Sequence, residues 1–174
     1  MANKILASFE LMRMKNILLA SIATPVGALL ALGDFSSITE YPEVIFATTS
    51  VLFFMGAGNA INDLRDVEID RIAHPSRPLA REALSEVEAK RITITLAILS
   101  LGSLAACCLL MKDEIAYTLT IYGIVAFLML SYDSFFELKN KGLAGNVSIS
   151  LLVAAVTLYG ASSVGEITNP LIWY

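Results

Sequence analysis

The chain has 174 residues, 56% of them apolar, with 12 basic and 16 acidic side chains and a formal net charge of −4. A mean hydropathy of +0.70 is too high for a water-soluble domain of this length, where charged residues make up about a quarter of the chain. Intrinsic disorder and a basic nucleic-acid-binding surface do not fit these figures, and the adjacent Cys107 and Cys108 offer neither a disulfide framework nor metal-ligand spacing.

Residues 16–33, 44–62, 92–111, 115–132 and 142–165 contain no Asp, Glu, Lys or Arg, giving windows of 18, 19, 20, 18 and 24 residues. Each is long enough to cross a hydrocarbon layer of roughly 30 Å as a helix. Surface helices of a soluble protein would show polar stripes, and most of these windows have none. The first window is too long for a signal-peptide core and lacks a small-residue cleavage site. Pro25 and Gly27 inside it are tolerable where neighbouring helices satisfy freed backbone groups. A sixth apolar run opens after Glu166 and continues to Tyr174. The expected fold is all-α: a polytopic transmembrane bundle of five full spans plus the start of a sixth, forming one membrane domain over residues 1–174.

Charge asymmetry sets the orientation. Lys4, Arg13 and Lys15 precede the first span. Arg65, Arg71, Arg77, Arg81, Lys90 and Arg91 lie between the second and third, and Lys139 and Lys141 between the fourth and fifth. These three segments share one face, and the other carries Lys112 among Asp34, Glu40, Glu43, Asp113, Glu114 and Glu166. The N-terminus is therefore expected in the cytoplasm.

The second span runs into Gly58-Asn59-Ala60-Ile61-Asn62-Asp63-Leu64-Arg65-Asp66-Val67-Glu68-Ile69-Asp70-Arg71. No Gly or Pro interrupts residues 59–74, which predicts a helix continuing to Pro75. Asn62, Asp66 and Asp70 then recur at four-residue steps, each about 40° past a full turn, forming a narrow acidic ridge with Asp63 alongside. A solvated helix end with local ion pairs is the plain alternative. Three costs argue against it: the helix C-terminus disfavours anions, like charges one turn apart repel, and polar groups leaving an apolar span are expensive. A divalent cation offsets all three. Magnesium takes one or two carboxylates and completes its sphere with water and substrate phosphates, so the ridge suits a phosphorylated amphiphile.

Downstream, His74-Pro75-Ser76-Arg77-Pro78-Leu79 and Arg81 follow. The flanking prolines predict an extended turn that aims Arg77 at the ridge, where its guanidinium would grip phosphate oxygens. The alternative for Arg77 is an ordinary positive-inside loop residue. His74 reads as a helix-end polar residue, and Ser85 with Glu88 reads as a capping box opening the third span.

The pattern Asn62-Asp63-x-x-Asp66-x-x-x-Asp70, closing a span and followed by Arg77-Pro78, resembles the first aspartate-rich motif of the UbiA-type intramembrane prenyltransferases. Arg13-Met14-Lys15-Asn16 is similar to that family's opening segment. Leu138-Lys139-x-x-Gly142-Leu143-x-Gly145-Asn146 resembles its archaeal digeranylgeranylglyceryl-phosphate synthase branch. Family members are usually longer and carry a second aspartate-rich motif, so the resemblance is to the N-terminal part of such a bundle, with a complementing C-terminal half chain as an expected partner. Tyr132 stands seven residues before Lys139, farther than the family pattern places its tyrosine.

The resemblance implies Mg²⁺-dependent transfer of a prenyl group, first of all geranylgeranyl, from an allylic diphosphate to a lipid or aromatic acceptor, with geranylgeranylglyceryl phosphate foremost. Asp66 and Asp70 are the implied catalytic carboxylates. Asn62, Asp66 and Asp70 would hold the metal, with Asp63 either ligating it or orienting a ligand. Arg77, Lys139 and Tyr132 would bind the diphosphate. Arg13 and Asn16 would contact the diphosphate or the acceptor, and Asn146 the substrate. Arg13 and Lys139 also read as plain membrane anchors. The competing readings are a non-catalytic membrane fragment or subunit of a split prenyltransferase and, remotely, a CDP-alcohol phosphotransferase, whose Asp-Gly-x-x-Ala-Arg signature does not occur here.

Overall fold

A computed structural model describes residues 2–130, 142–168 and 170. Among these residues the chain forms seven α-helices: α1 (Ala2–Met12), α2 (Met14–Leu32), α3 (Glu43–Arg65), α4 (Val67–Ala73), α5 (Glu86–Leu110), α6 (Ile115–Leu130) and α7 (Leu143–Ser163). A 3-10 turn over Ser37–Glu40 joins α2 to α3.

The charge-free windows coincide with α2, α3, α5, α6 and α7. Three helices, α3, α5 and α7, are long and apolar enough to cross a bilayer, and shorter apolar stretches occupy Ser21–Leu32 and Ile115–Leu130. The run after Glu166 lies mostly outside the described residues. Local chemistry fixes several helix ends. Gly33 closes α2 in a left-handed conformation at φ 68°, its N–H donating to the Leu29 carbonyl, a geometry that favours glycine. Ser85 and Glu88 form the expected reciprocal capping box at the start of α5.

Backbones approach closely where α2 crosses α7. A Cβ on Gly27 would collide with the Thr157 carbonyl, and one on Gly160 with the Thr24 carbonyl. The two Thr-x-x-Gly segments meet reciprocally, and small residues are what allow backbones to approach this closely in apolar surroundings. A polar thread ties α3, α5, α6 and α7 together. The Tyr159 hydroxyl lies 2.9 Å from Ser50 Oγ, and the Ser50 hydroxyl itself donates to the Ala47 carbonyl. The Ser100 hydroxyl donates to the Ser50 carbonyl at 2.7 Å and faces the Tyr122 hydroxyl at 2.7 Å. With the serine protons engaged, the tyrosines are the donors, and the buried hydroxyls are satisfied across helices.

Two local expectations are corrected. The helix does not run unbroken from 59 to 74: α3 ends at Arg65, Asp66 takes φ −90° and ψ 7°, and α4 begins at Val67. The break lets Val67 join a core of Ala7, Leu11, Ala60, Leu79, Leu84 and Ala89 while Asp70 also stays buried. The carbonyls of Asn62 and Asp66 still accept from the N–H groups of Asp66 and Asp70 at 3.0 and 2.7 Å. The four-residue backbone hydrogen-bond step therefore continues across the kink. The segment around Arg77 is not extended either. Arg77 N–H bonds back to the His74 carbonyl at 3.0 Å and Arg81 N–H to the Arg77 carbonyl at 3.0 Å, closing successive turns.

Candidate functional site

The site is built where α3 leaves its apolar stretch. Asp63 is only 2% exposed and Asp70 only 3%, so each carboxylate requires a counter-charge. Both find one far away in sequence. Asp63 Oδ1 accepts from Arg13 Nη2 at 2.8 Å and faces Arg77 Nη1 at 3.5 Å. The same Arg77 Nη1 reaches Asp70 Oδ2 at 2.5 Å. One guanidinium therefore bridges the two buried carboxylates, and a second, from Arg13, bonds the same Oδ1 of Asp63.

The backbone is shaped to deliver both arginines. Arg13 adopts a left-handed conformation, φ 56° and ψ 56°, which costs energy for a residue with a Cβ. That single residue makes the corner between α1 and α2, and Asn59 Nδ2 braces it by donating to the Met12 carbonyl at 2.8 Å. The closed turns from His74 to Ala83 carry Arg77 back over α4, and Arg81 pairs with Glu10 on α1. Asn62 is buried at the same helix end, and Asp66 lies half-buried at the kink between the two acids.

Arg13, Asn62, Asp63, Asp66, Asp70 and Arg77 thus gather at one end of α3. Asn16 falls in the first turn of α2. Asn146 is exposed in the first turn of α7, its N–H bonded to the Gly142 carbonyl at 3.2 Å, and among the described residues it makes no hydrogen bond or ion pair to the cluster. Tyr132 and Lys139 lie outside the described residues. Sequence reasoning missed Asn59 and the two outer pairs, Lys4 with Glu88 at 2.6 Å and Glu10 with Arg81. Asn59 was open to notice as a polar side chain inside a charge-free window.

The donor chemistry fits magnesium in part. Among the described residues no three His, Cys, Asp or Glu side chains gather as a ready metal site, and Asp63 and Asp70 already face arginines. The hard oxygens of Asn62, Asp66 and Asp70, one turn apart, instead suit an ion that brings most of its ligands as water and phosphate.

An all-α bundle with membrane-length apolar helices and an acid- and arginine-rich cluster at one end of a span defines the class as a helical membrane protein. The UbiA prenyltransferase family matches residues 20–174, and the chain belongs to that family. It is 31% identical over 169 residues to the digeranylgeranylglyceryl phosphate synthase of Methanococcus maripaludis strain C6, covering 92% of this chain and 54% of the relative. The synthase of Pyrococcus furiosus is 35% identical over 165 residues, covering 91% and 53%. A solved structure concerned with digeranylgeranylglyceryl phosphate synthase in membranes superposes with a TM-score of 0.77 at 31% identity, over 95% of this chain and 55% of that one. The chain spans about half the length of the relatives it matches.

Proposed function

We propose that this chain forms the diphosphate-binding half of a prenyl-transfer site that moves an isoprenoid, first of all geranylgeranyl, from its allylic diphosphate to a lipid or aromatic acceptor. Geranylgeranylglyceryl phosphate is the leading acceptor, which places the reaction in ether-lipid synthesis. The bundle sits in the cell membrane with five spans, its N-terminus and the site facing the cytoplasm, in keeping with the clustering of basic residues on that side.

One observation carries this reading: Arg13 and Arg77 converge on buried Asp63 beside the one-turn ladder Asn62, Asp66 and Asp70. Arg77 carries a guanidinium fork of the kind that suits phosphate, and it is Nη1 that faces the two carboxylates. Its closed turn and its contact with Asp63 fix it in place before any anion arrives, so little reorganisation is needed to stabilise a departing diphosphate. Arg13 adds a second fixed cation, and Asp63, facing both arginines, either ligates the metal or orients a ligand. Asn62, Asp66 and Asp70 would hold Mg²⁺, which when bound supplies Lewis-acid stabilisation of the leaving group. Lys139 and Tyr132 complete the diphosphate contacts, and Asn16 and Asn146 serve the substrate. The apolar helices accommodate the isoprenoid tail and keep water from the reacting carbon.

A non-catalytic membrane subunit is the second reading. It is favoured by the arginines that already face both buried carboxylates. The test supplies labelled geranylgeranyl diphosphate, Mg²⁺ and an acceptor to membranes containing the chain, with and without a complementing C-terminal half, followed by product mass analysis. Asp66→Ala and Asp70→Ala should each abolish Mg²⁺-dependent transfer. Turnover retained in both variants rejects the assignment of these carboxylates, and an inactive parent in both formats favours the subunit.

A further inference from the structure

α1 is an 11-residue helix, about 16 Å long, with two apolar sides. The inner side places Ala7 and Leu11, both fully buried, in the core with Ala60, Val67, Leu79, Leu84 and Ala89. The outer side places Ile5, Leu6 and Phe9 at 60%, 57% and 45% exposure. At about 100° per residue these three span one continuous arc, with Asn3 and Glu10 on one flank and Lys4 and Ser8 on the other. A helix lying wholly in water has no reason to keep such an arc.

Its contacts fix its depth. At the C-terminal end the Met12 carbonyl accepts from Asn59, three residues before the charge-free window of α3 closes. Near the N-terminal end Lys4 pairs with Glu88, four residues before the window of α5 opens. Both anchor points lie where apolar spans give way to charged segments, the level of the membrane–water boundary. At the Arg13 corner α1 passes directly into α2, whose exposed row Leu18, Ile22, Val26 and Leu30 suits acyl chains. The outer arc of α1 is thus joined through the corner to an apolar surface of the bundle, and Arg13 and Lys15 stand beside the corner at headgroup level.

We propose that α1 is an interfacial helix whose Ile5–Leu6–Phe9 face is seated in the headgroup–acyl boundary of the leaflet on the basic side of the bundle. Helices of this kind bury their apolar face about 5–10 Å deep while charged flanks stay wet. α1 also holds Arg81 through Glu10, in the same turns that carry Arg77. Lipid contact at α1 therefore keeps that segment at the bilayer surface, where the diphosphate of a membrane-bound amphiphile would lie. The inference rests on the bundle occupying a bilayer and does not depend on prenyl transfer.

The experiment uses tryptophan fluorescence. Trp173 is the single tryptophan, so Phe9→Trp, Leu6→Trp and Asn3→Trp are each made with Trp173→Phe in the full chain. The proteins are reconstituted into phosphatidylcholine–phosphatidylglycerol vesicles containing lipid brominated either near the headgroup or near the chain end. Circular dichroism confirms that each variant retains parental helicity. Trp at positions 9 and 6 should emit blue-shifted and lose most of its intensity to the shallow bromines, little to the deep ones and little to aqueous acrylamide. Trp at position 3 should remain open to acrylamide. Strong acrylamide quenching at positions 6 and 9 without bromine quenching would overturn the proposal by placing that face in water. Protection from both quenchers would overturn it in favour of a protein cover, such as a second copy of the chain.

Discussion

Replacing Asp63 by Ala removes the counter-charge shared by two guanidiniums. Deleting one partner of a buried pair costs about 3–5 kcal/mol, because the remaining charge is stranded. Here Arg13 and Arg77 side chains are 33% and 26% exposed, so each keeps part of its hydration, and Arg77 keeps Asp70. The lower end, about 3 kcal/mol, therefore applies. For a chain of this length 1 kcal/mol moves the melting temperature by about 2–4 °C, so Asp63→Ala should melt about 6–12 °C below the parent in detergent. The left-handed corner at Arg13 adds a second signature. With its side chain released, the Asn59 brace on the Met12 carbonyl is what still holds the corner, so Arg13→Ala and Asp63→Ala should be non-additive by more than about 0.5 kcal/mol in a double-mutant cycle. A shift of less than about 2 °C, or simple additivity of the two substitutions, would refute the pairing as the support of the site.

Two further outcomes concern the scaffold. Gly160→Ala should destabilise by about 1–3 kcal/mol, because its methyl group meets the Thr24 carbonyl and the α2–α7 crossing must open. Gly102→Ala, in the interior of α5 with open space around it, should be neutral to slightly stabilising in the same thermal assay, and equal effects would deny the close crossing. Ser85→Ala removes the reciprocal cap of α5 and should cost about 1 kcal/mol, read as a modest melting shift with faster amide exchange in the first turn of α5.

The candidate site was legible as composition and spacing but not as partnership. Helical stepping predicted Asn62, Asp66 and Asp70 on one side of an unbroken helix; the chain instead breaks at Asp66, while the backbone hydrogen bonds across the break keep their four-residue step. Nothing local shows that Arg13, fifty positions from Asp63, supplies its nearest positive charge. The kink was unreadable for a similar reason. Val67 turns inward to fill a core formed by α1, α3, α5 and the 79–84 loop, and a span's own residues carry no record of that core.

Length and chemistry along the chain were enough to place the apolar helices and the cap of α5, because each depends on contacts within a few residues or on transfer between water and lipid. The bracing of Arg13 by Asn59, the bridging of Asp63 and Asp70 by Arg77, and the glycine-lined meeting of α2 with α7 depend on which helices become neighbours. Periodicity says which residues share a face. What that face meets is settled only when distant segments pack and buried charges must find their opposites.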